Sequence, residues 1–172
     1  MTTFVALLRA VNVGGTNKLP MSELAAMCEA EGFAGVRTYI ASGNAVFASD
    51  RDAADVKAAL EARLAAYAGR PVGVCVRTGP EIAAVLAANP FPDAEPNRTL
   101  VTFLDAPPPA DALDHAKHRT SERLALGARE IYVDYRDRDT MAASRLAIPA
   151  AAPGTARNMN TVAKLARMAG EG

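Results

Sequence analysis

The chain has 172 residues, half of them hydrophobic, and its 19 basic and 19 acidic side chains cancel at neutral pH. Balanced charge removes the whole-molecule field that draws proteins onto duplex nucleic acid or an anionic bilayer. Charged residues also interrupt every apolar run well before the roughly 18 to 20 residues that a membrane span requires, and the length suits one domain or two small ones.

No basic leader precedes the run MTTFVALLRAVNV, so a strand is expected there rather than a signal peptide, and the protein is expected in the cytoplasm. TFVALLRAV, 3 to 11, is too short for a stable helix and apolar enough for a strand covered on both faces, with Arg9 as a cation interrupting it. Pro20 suits a first helical turn, Leu24, Met27 and Cys28 follow at helical spacing, and Gly32 stops the helix. VRTYIA, 36 to 41, and AVFAS, 45 to 49, flank Ser42-Gly43-Asn44 and read as a hairpin. Val56, Leu60, Leu64 and Tyr67 mark one helix face ended by Gly69, and PVGVCVRT, 71 to 78, reads as a further strand. Cys28 and Cys75 lack CxxC spacing and read as buried thiols.

The expected fold class is therefore α+β. A ferredoxin-like β-α-β-β-α-β half over 1–78 has its first and third strands paired at the centre of an antiparallel sheet. A second, smaller α+β half over 79–172 starts with a helix near 80 to 88 and a strand over RTLVTFL, 98 to 104. A short helix after Pro109, strands near 121 to 126 and 129 to 135, a loop over 147 to 154 and a last helix over 160 to 169 follow, giving β-α-β-β-α again.

In this topology the loop after strand one, the turn after strand two and the entry to strand four share one sheet edge. That edge gathers Asn12, Gly14, Gly15, Asn17 and Lys18 with Ser42, Gly43, Asn44 and Arg70. Paired glycines before a helix free backbone N–H groups to face a concavity, and the helix N-terminus adds positive charge, a combination suited to anions. Neither GxxxxGK[ST] nor GxGxxG is present. A third polar stretch, TARNMNTVAKL at 155 to 165, opens the last helix, where Asn158 or Asn160 can cap, leaving Arg157 and Lys164 without a capping role.

Known chemistries find little support. His115 and His118 are the only histidines, without HExxH or cysteines at metal spacing, so no metal and no cofactor is expected. Ser42 lies in SGN rather than a GxSxG elbow. YVDYRDRD, 132 to 139, fails the EF-hand pattern and reads as a charged hairpin end. RNA-recognition modules share the first half's element order, but the third strand NAVFASD lacks their stacking aromatics, which argues against nucleic acid as a partner.

LLRAVNVGGTNKLPM at 7 to 21, VRTYIASGNAVF at 36 to 47 and TARNMNTVAKL at 155 to 165, with a weaker Ser144-Arg145-Leu146, together resemble the bacterial family called domain of unknown function 1697. The resemblance implies a compact α+β protein with ferredoxin-like halves and implies no activity. Met159 stands where that family usually has Trp, and the stretch between Leu146 and Thr155 is shorter than usual. Two expectations follow. An anionic ligand, a phosphorylated small molecule or nucleotide, meets Arg9, Lys18 and Arg157 for charge. Gly14, Gly15 and Gly43 allow backbone approach, and Asn12, Ser42, Asn44, Asn158 and Asn160 orient it, with 155–161 beside 12–18 and 42–44. The alternative is a non-catalytic interaction or scaffold module in which the same residues lock loops.

Overall fold

The computed structural model describes residues 1–171. Its first antiparallel sheet has strands β1 (Thr2–Leu8), β2 (Ala34–Thr38), β3 (Asn44–Ser49) and β4 (Val74–Thr78) in the order β2-β3-β1-β4. β1 pairs with β3 from Thr2–Ser49 to Leu7–Asn44 and with β4 from Phe4–Thr78 to Leu8–Val74, the central pairing expected of a split β-α-β unit. β2 is irregular: its register on β3 shifts between Ala34 and Arg37, and Gly35 between them has φ of 59°.

Helices α1 (Met21–Ala30) and α2 (Ala53–Ala68) cover one face of this sheet. Phe4, Ala6 and Leu8 point to it at the strand period of two, meeting Leu24, Met27 and Cys28 of α1 and Val56, Leu60 and Leu64 of α2. Phe33 stacks on Phe47 with centroids 4.4 Å apart. Asp52 caps α2 by accepting from Asp55 N–H at 2.8 Å, and Gly69 closes it at φ 73°. Burial, aided by the acids Glu29 and Glu31, pushes the Cys28 thiol up to about 12, so it packs as a small hydrophobe. The alternate residues Val5, Leu7 and Val46 are buried as well, so β1 is covered on both faces as its unbroken apolar run implied.

The chain divides into two compact units, Met1–Ile82 with the segment from Leu165 onward, and Ala83–Lys164. The division runs inside two helices, α3 (Gly79–Ala87) and α5 (Met159–Gly170), rather than after residue 78. The last turns of α5 join the first unit through Arg37, which donates to Met168 O at 2.6 Å and pairs with Glu171 at 3.2 Å.

The second unit carries its own antiparallel sheet of β5 (Thr99–Phe103), β6 (Arg123–Leu126), β7 (Glu130–Asp134) and β8 (Thr155–Asn158), ordered β6-β7-β5-β8. Strand succession within each sheet is thus the same, while the connections differ: a 3-10 turn, Ala112–His115, stands where the first unit has α1. Two elements depart from expectation. Thr155 to Asn158, read as the polar lead-in to the last helix, is β8, paired with β5 from Phe103–Thr155 to Leu100–Asn158. Arg138 to Ala143 forms α4, so Tyr135 to Asp137 connect β7 to α4 and the following Arg138 and Asp139 open that helix, rather than forming a hairpin end. Asp137 caps α4 by accepting from Thr140 N–H at 2.7 Å, and Asp134 takes Arg123 Nε at 2.7 Å.

Glu122, 2% exposed, accepts from Thr120 N–H (2.6 Å), Thr120 Oγ1 (2.9 Å) and Ser144 Oγ (2.6 Å). Burial alone would raise its carboxyl, but the Ser144 and Thr120 hydrogen bonds override it and hold the group at about 2. A depressed carboxylate stabilises the fold above its unfolded value and loses that contribution as pH falls through the folded one. The urea midpoint is therefore expected to fall between about pH 4.5 and 2, and Glu122→Gln is expected to flatten that part of the profile. An unchanged slope in the variant would remove Glu122 as its source.

Candidate functional site

β1 ends at Leu8, and the chain turns sharply there. Leu8 N–H donates to Gly43 O and Arg9 N–H to Gly73 O, both at 2.9 Å. Arg9 therefore follows the strand rather than interrupting it, and it is exposed rather than drawn into the core. Ala10, Asn12, Gly14, Gly15 and Asn17 all adopt positive φ, between 52° and 77°, so the connection is wound in left-handed turns. Gly14 and Gly15 are exposed and open around the Cα, forming the tip of a tight Val13–Thr16 bridge.

Two asparagines hold this loop in place. Asn12 Nδ2 donates to Leu19 O at 2.9 Å and to Ala41 O at 2.7 Å, while its Oδ1 accepts from Leu19 N–H at 2.7 Å. One carboxamide thereby closes its own loop and fastens it to the β2–β3 turn. Asn17 Nδ2 donates to Ala10 O at 3.0 Å, and its Oδ1 accepts from Arg70 through Nε at 2.8 Å and through Nη2. Arg70, just past the end of α2, is thus held by one edge of its fork.

The β2–β3 turn is equally determined. Asn44, fully buried, donates from Nδ2 to Tyr39 O at 2.9 Å and to Ser42 Oγ at 3.0 Å. Gly43 has φ of 92°, and a Cβ there would lie 2.7 Å from Val11 Cγ2 and 2.9 Å from Leu8 Cβ. Ile40 adopts φ of 50°, a conformation that β-branched residues rarely take, and is 47% exposed. The sheet edge expected from the topology is real in the first unit: the 9–18 loop, the 39–43 turn and Arg70 are hydrogen-bonded together.

A cavity of about 490 Å³ opens between the loop and the end of α2. Val11, Leu64 and Val72 supply apolar walls, and Asn17, Lys18, Tyr67 and Arg70 supply the polar groups. None of its lining side chains is acidic. Lys18 is exposed and makes no hydrogen bond or ion pair among the described residues. Of the expected site residues, Lys18 lines this cavity, whereas Asn12 and Asn44 have amides committed to backbone. Tyr67 and Leu64 were legible only as a helix face, because nothing in their spacing says that the face ends beside a loop.

The remaining expected residues belong to the second unit. Arg157 is a buried residue of β8 whose Nη1 donates to Thr155 Oγ1 at 2.7 Å and to Ala156 O at 2.9 Å. Asn158 Oδ1 accepts from Thr161 N–H at 2.9 Å, a cap for α5, and Asn160 is exposed on its first turn. Met159 between them is buried, so the side chain in the place of the family's usual Trp packs into the interior. No helix among the described residues is long and apolar enough to cross a membrane.

The family model described as "Protein of unknown function (DUF1697)" matches residues 1–132. Among solved structures, the chain is similar to the conserved bacterial protein SP0830 from Streptococcus pneumoniae, at 23% identity and a TM-score of 0.80, covering 98% of each chain. At that identity the likeness concerns the fold. No curated protein matches the chain significantly.

Proposed function

We propose that this chain, which belongs to the DUF1697 family of proteins of unknown function, binds a small anionic ligand, a phosphorylated metabolite or nucleotide, in the first-unit cavity. The observation that carries this is a lining with two exposed cations, Lys18 and Arg70, and no carboxylate. Arg70 meets Asn17 along the edge bearing Nε and Nη2, so the guanidinium is held in one orientation before a ligand arrives, which lowers the ordering cost of binding. Lys18 adds a mobile point charge. Tyr67, 48% exposed, offers a ring against which a flat or apolar body can lie.

A thermal-shift screen of nucleotides and phosphorylated metabolites, followed by calorimetry, tests the proposal. The best ligand should raise the melting temperature in proportion to the logarithm of its concentration. Lys18→Ala and Arg70→Ala are each expected to weaken it about tenfold, near 1.4 kcal/mol, toward the low end for hydrogen bonds to charged groups because both side chains are exposed. Flat melting curves across all phosphorylated compounds, or affinity unchanged in both variants, would sink it. The commitment of Asn12 and Asn44 to backbone carbonyls favours a second reading, an interaction module whose polar edge serves to lock loops.

A further inference from the structure

A second, smaller cavity of about 320 Å³ lies in the second unit, lined by Asn97, Arg98, Arg138, Met141 and Ala142. Two guanidiniums and a carboxamide contribute to it, and no lining residue is acidic. Neither arginine side chain makes an ion pair or hydrogen bond among the described residues. Arg98 Nε is in addition a buried nitrogen without a hydrogen-bond partner, an arrangement that is destabilising until something accepts from it.

The fold holds Arg98 there by its backbone rather than by its charge. Its N–H donates to Glu95 O and its carbonyl accepts from Tyr135 N–H, both at 3.0 Å, fixing the residue where the 3-10 turn Pro96–Arg98 runs into β5. Arg138 opens α4 immediately after its cap. The acid that feels Arg98, Asp137, is already engaged: hydrogen bonds from the Thr140 backbone and hydroxyl, then Asp139 N–H, hold its carboxyl below the ordinary range, with Arg98 adding a through-space pull. Asp137 and Arg98 form no ion pair.

We propose that Asn97, Arg98 and Arg138 form a site for a phosphoryl oxyanion, free or carried on a small ester. Two planar forks arriving from different elements suit a tetrahedral, doubly charged group with several oxygens better than a flat carboxylate, which one fork can satisfy alone. Met141 and Ala142 give an ester's apolar part something to lie against. The site is independent of the first-unit cavity.

Nitrogen-15 NMR of arginine side chains in the full chain tests this, with inorganic phosphate titrated at constant ionic strength against chloride. The Arg98 Nε–H resonance is expected to shift saturably, and Arg138→Ala, at an exposed position, to weaken the response at least tenfold. Arg98→Lys, which keeps charge but loses the fork, should weaken binding comparably, read in that variant from the Arg138 side-chain resonance. Phenyl phosphate distinguishes the sources: tighter binding with movement of the Met141 methyl signal assigns an ester, and weaker binding without it assigns free phosphate. A response that stays linear, that chloride reproduces, or that Arg138→Ala leaves intact overturns the proposal. Signals of Arg70 report on the first-unit cavity separately, so failure at one site is not mistaken for failure at the other.

Discussion

Gly43→Ala is expected to destabilise the first unit by about 3 kcal/mol. Alanine at φ 92° carries roughly 1 to 2 kcal/mol of backbone strain. Its methyl would in addition enter space held by Val11 Cγ2 at 2.7 Å and Leu8 Cβ at 2.9 Å, and overpacking of that kind costs about 1 to 3 kcal/mol. Neither neighbour can retreat easily, because Leu8 N–H is bonded to Gly43 O and both side chains belong to the core. Chemical denaturation of the two proteins measures the difference. A loss below about 1 kcal/mol would mean that the turn relocates without cost, contrary to the hydrogen bonds that define it.

Asn12→Ala should cost about as much by a different route. Three hydrogen bonds vanish, two from Nδ2 and one to Oδ1, each worth about 0.5 to 1.5 kcal/mol, and Leu19 and Ala41 lose their partners. Alanine at φ 56° adds roughly 1 kcal/mol that asparagine largely escapes. Asn12→Gly separates the two parts, since glycine accepts the backbone conformation and lacks the amide. We expect about 3 kcal/mol for Asn12→Ala and about 2 for Asn12→Gly, read from urea midpoints. Equal and small losses would show the staple to be worth little, and would free Asn12 for a ligand.

The first sheet was legible because its signals are local and agree: an apolar run, glycine stops after two amphipathic helices, and a Ser-Gly-Asn turn. The grouping of the 9–18 loop, the 39–43 turn and Arg70 then followed from topology alone. What that edge does with its side chains did not follow. Asn12 and Lys18 look equally available in the string, yet one amide is consumed by backbone and the other side chain faces a cavity, a distinction set by the handedness of the loop. β8 was hidden because Thr155 and Arg157 are its buried positions and Ala156 its exposed one, the reverse of a hydrophobic alternation. α4 was hidden because six residues with one large apolar side chain carry too little period to read. Arg98 sits at the end of a polar connection, and only the pairing of β5 beside β7 reveals that its Nε is buried.

The break in register along β2 also bears on how these molecules behave when crowded together. β2 is a border strand, and a straight border offers an uninterrupted row of N–H and C=O groups to which another chain can zip. Here Gly35 swings the backbone out of line, and Arg37 is anchored to Met168 and Glu171. An incoming strand therefore meets a kink in the backbone row instead of a straight template, which makes this border a poor one for cross-chain strand addition.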